Sequence, residues 1–297
     1  MKYIDAKHIL NRNKSLEWFG TEYSLNLYRG CCHGCIYCDG RSICYNDYEF
    51  DIVKPKRDAI QILSEELSSK RKIGVIDTGG MGDPYNPFEK ELCLTREFLK
   101  LVNKYNFGVS ITTKSSLIER DIDLLYQISN KAPVICEITI TAGQDHLCKL
   151  VEPNVVPSSR RFEIIKKLSD NGIFSGIVMM PILPFIEDTE DNIISIIDQA
   201  SYYGSKFIYP YFGVTLRTNQ REWYFNKLND LFPQNDLVRL YRSIYGDSYE
   251  CLSLRERELT ELFEEKCRQK NILFKMEDIV SAYKKKSDYT QLSLFDM

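Results

Sequence analysis

The sequence predicts an α/β chain: a partial, open parallel (βα)6 barrel with a helical C-terminal region. Two observations carry this. Between about residues 22 and 213, six short β-rich runs alternate with amphipathic helical runs, as βα units in a parallel sheet do. Beyond 213 the β-rich runs stop and helical patterning takes over. Six units are too few for the eight-stranded barrel, so the sheet is read as open. The β-rich runs lie at 23–28, 73–77, 108–112, 134–141, 173–180 and 206–212, rich in Val, Ile, Tyr or Thr and bounded by Gly, Pro or polar clusters. The helical run at 57–69 puts Ile60, Leu63 and Leu67 on one face. That at 160–172 is closed by Asn171-Gly172, a C-cap signal. Further helices are expected at 219–231, 234–245 and 253–271, the last carrying Leu259, Leu262, Phe263 and Cys267 on one stripe. The expected organisation is therefore a barrel over 1–213, a helical region over 214–285 and a tail over 286–297.

Composition narrows the function classes. With 297 residues, 43% hydrophobic and 27% charged, the chain is long and apolar enough for a full core without disulfides. A net charge of −3 gives no global basic field, so any nucleic-acid contact must use a local patch. The longest apolar stretch, at 174–186, is broken by Ser175, Gly176, Pro181 and Pro184, so no membrane span is expected. The N-terminal residues lack an apolar h-region, which leads to the expectation of a cytoplasmic protein. Ten cysteines in such a chain read as reduced thiols or metal ligands.

The chemistry concentrates in RGCCHGCIYCDG at 29–40, directly after the first expected strand. Cys31, Cys35 and Cys38 stand in a C-x3-C-x2-C array, and thiolates are the usual ligands of iron–sulfur clusters. Three ligands on a [4Fe–4S] cube leave one iron open to a substrate or cofactor, and Gly30 and Gly34 let the backbone wrap closely. Cys32, Cys35, Cys38 and Cys44 are a competing four-thiolate zinc set. It would make the chain a zinc-stabilised, non-catalytic binding protein associated with DNA replication.

The array with Tyr37 before its last cysteine resembles the signature of the radical S-adenosylmethionine (SAM) superfamily. That resemblance implies a [4Fe–4S] cluster on Cys31, Cys35 and Cys38, SAM chelated to the open iron, an electron donor, and a 5′-deoxyadenosyl radical that abstracts hydrogen from substrate. Three further segments extend it. DTGGMGDPYNPFE at 77–89 resembles the superfamily's glycine-rich element and, more narrowly, the (T/S)DPYQPxE element of the spore photoproduct lyase-like family; Gly82 replaces that family's hydroxyl residue. TTKSSLIERD at 112–121 resembles TKS-x-L-x-x-RD, and ITITAGQDHLCKLVEP at 138–153 resembles an SITT…LEP run. The resemblance implies SAM contacts from Tyr37, Gly79, Gly80, Asp83, Lys114 and Thr139, with Lys114 meeting the SAM carboxylate. Glu152 and Arg161 also match, and an ion pair fixing the loop after the fourth strand explains them equally well. Each matched segment lies at or beyond the C-terminal end of an expected strand, where a βα barrel builds its site.

Two departures bear on the reaction. Characterised photoproduct lyases use a cysteine hydrogen donor near the second-strand element, and this chain has none between Cys44 and Cys93. Asp39 stands where they carry a tyrosine. Cys93 is expected on a helix beside Leu94, Phe98 and Leu101, and Cys136 and Cys267 in the core. The expected substrate is DNA or another nucleic acid, with a role in DNA repair or modification. The tail, Gln291, Leu292, Ser293, Leu294 and Phe295, resembles the QL(S/D)LF motif by which bacterial DNA-processing proteins bind the sliding clamp. The polar stretch at 284–290 suits a tether.

Overall fold

The computed structural model describes residues 2–45 and 49–285. Its strands are β1 (Leu10–Arg12), β2 (Tyr23–Leu25), β3 (Tyr28–Arg29), β4 (Lys54–Pro55), β5 (Val75–Thr78), β6 (Gly108–Thr113), β7 (Val134–Thr139), β8 (Ser175–Met179), β9 (Ile208–Pro210), β10 (Gly213–Thr215) and β11 (Glu250–Leu252). Between and after them come α1 (Ala59–Ser68), α2 (Glu89–Leu92), α3 (Leu94–Tyr105), α4 (Ile122–Ser129), α5 (Asp145–Val151), α6 (Ser158–Asp170) and α7 (Glu190–Tyr202). The last four are α8 (Gln220–Leu231), α9 (Leu237–Tyr245), α10 (Glu256–Gln269) and α11 (Met276–Lys284).

The main sheet has seven strands in the order β1-β2-β5-β6-β7-β8-β9. From β2 to β9 every pairing is parallel. The six parallel strands are the six runs read from sequence. The antiparallel edge strand β1, paired Leu10 to Leu25, was not anticipated. The run at 23–28 splits: after Leu25 the chain leaves the sheet, and Tyr28–Arg29 pairs antiparallel with Lys54–Pro55. The run at 206–212 shortens to Ile208–Pro210, because proline has no N–H to carry a ladder onward. Asn171 and Gly172, at φ +74°, do close α6. Cys93 is corrected: it is a left-handed junction residue at φ 53° between α2 and α3, not a helical core residue.

Alternation along the strands separates two faces. Val109, Ile111, Cys136, Ile138 and Ile177 face the helices and join Phe98, Leu99, Leu125 and Ile165 in the main core. Leu259, Phe263 and Cys267 of α10 join that core too. On the concave face, Val75, Ile135 and Phe207 pack with Phe19 and with Ile279 and Tyr283 of α11. These three stand at or near the beginnings of their strands, so α11 plugs that end of the barrel and leaves the strand C-termini open. Between plug and open end lies a buried polar layer. Ser110 Oγ donates to Glu137 Oε1 (2.6 Å) and lies 3.2 Å from Asp77 Oδ1, and Thr112 Oγ1 donates to Glu137. Burial pushes Asp77 up to about 6; burial and the Asp77 charge push Glu137 up to about 8.

A second cluster joins α8, α9 and β11 to the cysteine loop: Tyr224, Phe225, Leu228, Tyr241 and Cys251 pack with Cys35, Ile36 and Tyr37. Gln220 Nε2 also donates to the Tyr37 carbonyl at 2.8 Å. Among the described residues no helix is long and apolar enough to cross a membrane. The sliding-clamp motif at 291–295 lies outside the described residues.

Candidate active site

Gly30 turns the chain from β3 into the cysteine loop at φ +83°, and a Cβ there would stand 2.6 Å from the carbonyl oxygens of Phe50 and Ile52. Cys31 N–H donates to the Phe50 carbonyl (2.7 Å), Ile36 N–H to that of Val151 (3.0 Å) and Asn154 N–H to that of His33 (3.2 Å). The loop is thus hung on the connection after β7. Cys31, Cys35 and Cys38 line one cavity of about 490 Å³, together with His33, Tyr37, Gly79, Gly80, Asp83, Lys114 and Thr139. Cys32 does not line it and packs, half-buried, against the main core. Cys44 is exposed, bonded to Ser42 Oγ at 3.0 Å.

The donor set fits a thiolate-held cluster. Burial drives the Cys35 thiol far up and that of Cys38 to about 11, so both stay protonated until a cation arrives. Burial also opposes ionisation of Cys31, but its hydrogen bond to His33 and the His33 charge outweigh it and bring the thiol below its ordinary range. Among the described residues no three Cys, His, Asp or Glu side chains gather closely enough to hold a single ion. Of the four-thiolate set, Cys32 lies outside the cavity that Cys35 and Cys38 line, and Cys44 is exposed. A cube spreads its cysteines over different irons and does not require such convergence.

The strand ends supply the opposite wall. Gly79, at φ +111°, lies so close to Thr112 that a Cβ would overlap the Thr112 carbonyl oxygen. At Gly80 a Cβ would meet no atom within 4 Å. A Cβ at Gly82 would lie 2.9 Å from the Gly30 carbonyl oxygen, so the residue that replaces the family's hydroxyl lets the loop after β5 close on the cysteine loop. Asp83 lines the cavity but is engaged by protein donors: Thr113 Oγ1 (2.7 Å), Tyr85 N–H (2.8 Å) and Lys114 N–H (2.8 Å). It also faces His33 Nδ1 at 3.7 Å. Burial opposes a charge on His33, yet the Cys31 hydrogen bond and the Asp83 charge raise its pKa.

Glu152 and Arg161, at the end of α5 and on α6, form an ion pair at 2.6 Å with side chains 1% and 0% exposed. Arg161 also donates to the carbonyls of Val156 and Thr139, each at 2.8 Å, and to Cys148 Sγ at 3.3 Å. Tyr37 Oη donates to Glu152 Oε1. Lys114 Nζ stands 3.9 Å from the same carboxylate and 5.7 Å from the Tyr37 ring centroid. Burial opposes the Glu152 charge, but Arg161 and Lys114 together hold its carboxyl below the usual range.

A model of the radical SAM superfamily matches residues 25–200. The chain belongs to that superfamily. An uncharacterised protein of Mycobacterium tuberculosis is 27% identical over 249 residues, covering 81% of this chain and 72% of its own. One of Methanocaldococcus jannaschii is 33% identical over 192 residues, covering 63% and 69%. Among solved structures, a tyrosine-to-phenylalanine variant of spore photoproduct lyase superposes with a TM-score of 0.63 at 14% identity, over 91% of this chain and 81% of that one. Spore photoproduct lyase complexed with dinucleoside spore photoproduct gives 0.61 at 15%, over 89% and 77%. At such identity the likeness is one of fold.

This radical SAM chain closes its cavity with a wall of which the sequence pointed only to Tyr211. Tyr211 follows β9 and donates to Glu250 Oε1 of β11 at 3.0 Å, and Tyr249 beside it accepts a bond from Arg217 at 3.0 Å. Tyr211 had a signal, its place at the end of the sixth run. Tyr249 and Glu250 had none, because a three-residue strand carries no readable period. Tyr209 packs on Trp18 and Phe19, and Phe212 on Phe263, so neither faces the cavity.

Proposed function

We propose that this radical SAM enzyme holds a [4Fe–4S] cluster on Cys31, Cys35 and Cys38, binds SAM across the strand ends, and takes a hydrogen atom from a DNA or other nucleic-acid substrate. The observation that carries the reading is one cavity shared by those three thiols and by Tyr37, Gly79, Gly80, Lys114 and Thr139, with Cys32 outside it. When bound, cluster and SAM supply reductive cleavage of the sulfonium, with an electron from a separate donor, and a 5′-deoxyadenosyl radical. The chain's residues supply placement. Gly79 and Gly80 open backbone to the ligand, Lys114 offers an ammonium to a carboxylate, and Glu152 with Arg161 locks the cysteine loop to β7. The nucleic-acid assignment draws on the shared fold with spore photoproduct lyase, solved with a dinucleoside lesion, and on the sliding-clamp-like tail. Through Gln291, Leu292, Leu294 and Phe295 that tail would bring the enzyme to replicating DNA, and removing 291–297 should abolish clamp binding.

Anaerobic reconstitution tests the centre. About four irons per chain and release of 5′-deoxyadenosine are expected. Alanine at Cys31, Cys35 or Cys38 should lose the iron, and Cys32→Ala should keep it. Lys114→Ala should weaken SAM binding ten- to a hundred-fold, roughly 1.5–3 kcal/mol. A colourless protein with stoichiometric zinc would overturn the reading.

A further inference from the structure

The cavity is built from two sides. The strand-end residues proposed to meet SAM belong to β5, β6 and β7: Gly79 and Gly80, Lys114, and Thr139. The sheet continues through β8 to β9, and the far wall is built there and on the C-terminal region, by Tyr211 after β9 and by Tyr249 and Glu250 at β11. We propose that this far wall is the subsite that reads a nucleobase of the substrate, with the Glu250 carboxylate accepting from adjacent N–H groups on the base edge, as guanine presents them. This rests on the proposed function and names the part of the nucleic acid that the site selects.

Glu250 is the carboxylate that the protein leaves open. Three carboxylates line the cavity among the described residues: Asp39, Asp83 and Glu250. Both oxygens of Asp83 are held, Oδ1 by Thr113 and Tyr85 and Oδ2 by the Lys114 N–H. Asp39 accepts from the Tyr45 hydroxyl on Oδ2 at 3.0 Å and faces Arg217 Nε with Oδ1 at 3.1 Å. Glu250 accepts only from the Tyr211 hydroxyl, on Oε1 at 3.0 Å, and no described donor or cation engages Oε2. The Tyr211 bond anchors the group and leaves it lone pairs on both oxygens. A carboxylate only accepts, so its match is a base edge with two neighbouring donors. Guanine presents N1–H and the 2-amino group side by side. Thymine flanks its one N–H with two carbonyl oxygens, which the carboxylate repels. Tyr249, beside Glu250, supplies a surface for the ring of the base. Arg217 fixes it, with Nη2 bonded to the hydroxyl at 3.0 Å and the guanidinium 5.0 Å from the ring centroid. A held, half-exposed aromatic ring is a stacking platform for any base, so the choice among bases falls to Glu250. An enzyme that reacts at a base must take it out of the stack, which exposes the edge that Glu250 reads.

The test uses the anaerobically reconstituted protein with SAM bound and three single-stranded DNA trinucleotides that differ only in the central base: guanine, hypoxanthine, which lacks the 2-amino group, and thymine. The guanine probe should bind about tenfold more tightly than the thymine probe, the discrimination of one bidentate pair, with hypoxanthine between them. Glu250→Gln keeps an acceptor for Tyr211 and should bring the three affinities together, with iron content, SAM affinity and melting temperature unchanged. Equal affinity of the wild-type protein for the three probes overturns the proposal without any variant. So does Glu250→Gln that keeps the guanine preference and only melts earlier, since the bond to Tyr211 would then be structural alone. A loss of SAM affinity in its place would assign the carboxylate to the cofactor and also overturn the proposal. Failure of the underlying function reads out separately: protein that holds no iron, or iron-loaded protein that binds SAM and none of the trinucleotides, overturns both.

Discussion

Replacing Arg161 by Met keeps much of the side-chain volume and removes the charge from the least exposed ion pair near the site. The Arg161 and Glu152 side chains are 0% and 1% exposed and 2.6 Å apart. Removing one partner of such a pair strands the other in a low-dielectric interior, at a cost of about 3–5 kcal/mol. The carbonyls of Thr139 and Val156 lose their Arg161 donors as well, adding roughly 1 kcal/mol or more each. The sum approaches the whole stability of many domains, about 5–15 kcal/mol. Lys114, at 3.9 Å, and the Tyr37 hydroxyl remain beside Glu152 and should hold the loss toward the lower end. The assay is urea unfolding of the reduced protein without iron, so that cofactor binding does not enter the balance. A cycle with Glu152→Gln separates the charge term: the double variant should be less destabilised than the sum of the singles by about 2 kcal/mol or more. In Arg161→Met the Glu152 carboxyl should titrate higher, so the destabilisation should grow as pH rises. A cost under about 1 kcal/mol, or strict additivity in the cycle, would refute the claim that this pair holds the loop after β7.

Two further outcomes follow from geometry. Gly79→Ala should lower stability by about 2 kcal/mol or more, because φ +111° strains any side chain and the new Cβ meets the Thr112 carbonyl; Gly80→Ala should leave the melting temperature unchanged and lower SAM affinity, since its Cβ meets nothing in the protein. Equal melting shifts in the two variants would count against this wall. Glu187, buried and pushed up to about 8 by desolvation, keeps its proton in the folded state above its ordinary 4.5, so its contribution is full below 4.5 and is lost as pH rises toward 8. Glu187→Gln preserves the bonds to Thr141 and Leu183 and should flatten the fall in stability between pH 5 and 8 by up to about 1.4 kcal/mol per pH unit, measured by urea unfolding across that range.

The cysteine loop was legible because its ligands are neighbours in the chain: spacing alone brought Cys31, Cys35 and Cys38 to attention, though it left Cys32 as a rival until the cavity separated them. The six parallel strands were legible because each is a run of β-branched and aromatic residues between breakers. The edge strand β1 was not, since Leu10–Arg12 buries only Leu10 and so shows no alternation. Glu152 and Arg161 could be paired only through resemblance, as nothing local announces a contact nine residues apart across a turn. Cys148, unassigned in the sequence, proves to be a third member of that pair's surroundings. The wall of Tyr249 and Glu250 depends on β11 returning to β10 across two helices, a long-range pairing without a short-range signature.

The placement of Lys114 shows why these pieces act together. A part-buried lysine beside thiols and a carboxylate must keep its charge to be useful to an anionic ligand. Burial opposes that charge, and the electrostatic interactions with Cys35 and Glu152 outweigh it, so its pKa is raised. Yet the Glu152 contact, at 3.9 Å, is too long to be a hydrogen bond, because Arg161 and Tyr37 already occupy both carboxylate oxygens. Glu152 therefore stabilises the ammonium without capturing its donors, which remain directed to the cavity. Had Arg161 been absent, the same carboxylate would draw Lys114 into a direct pair and spend the cation inside the protein. The buried arginine thus does two things at once: it ties α6 and β7 to the cysteine loop, and it occupies the Glu152 oxygen that would otherwise be open to the ammonium at the end of β6.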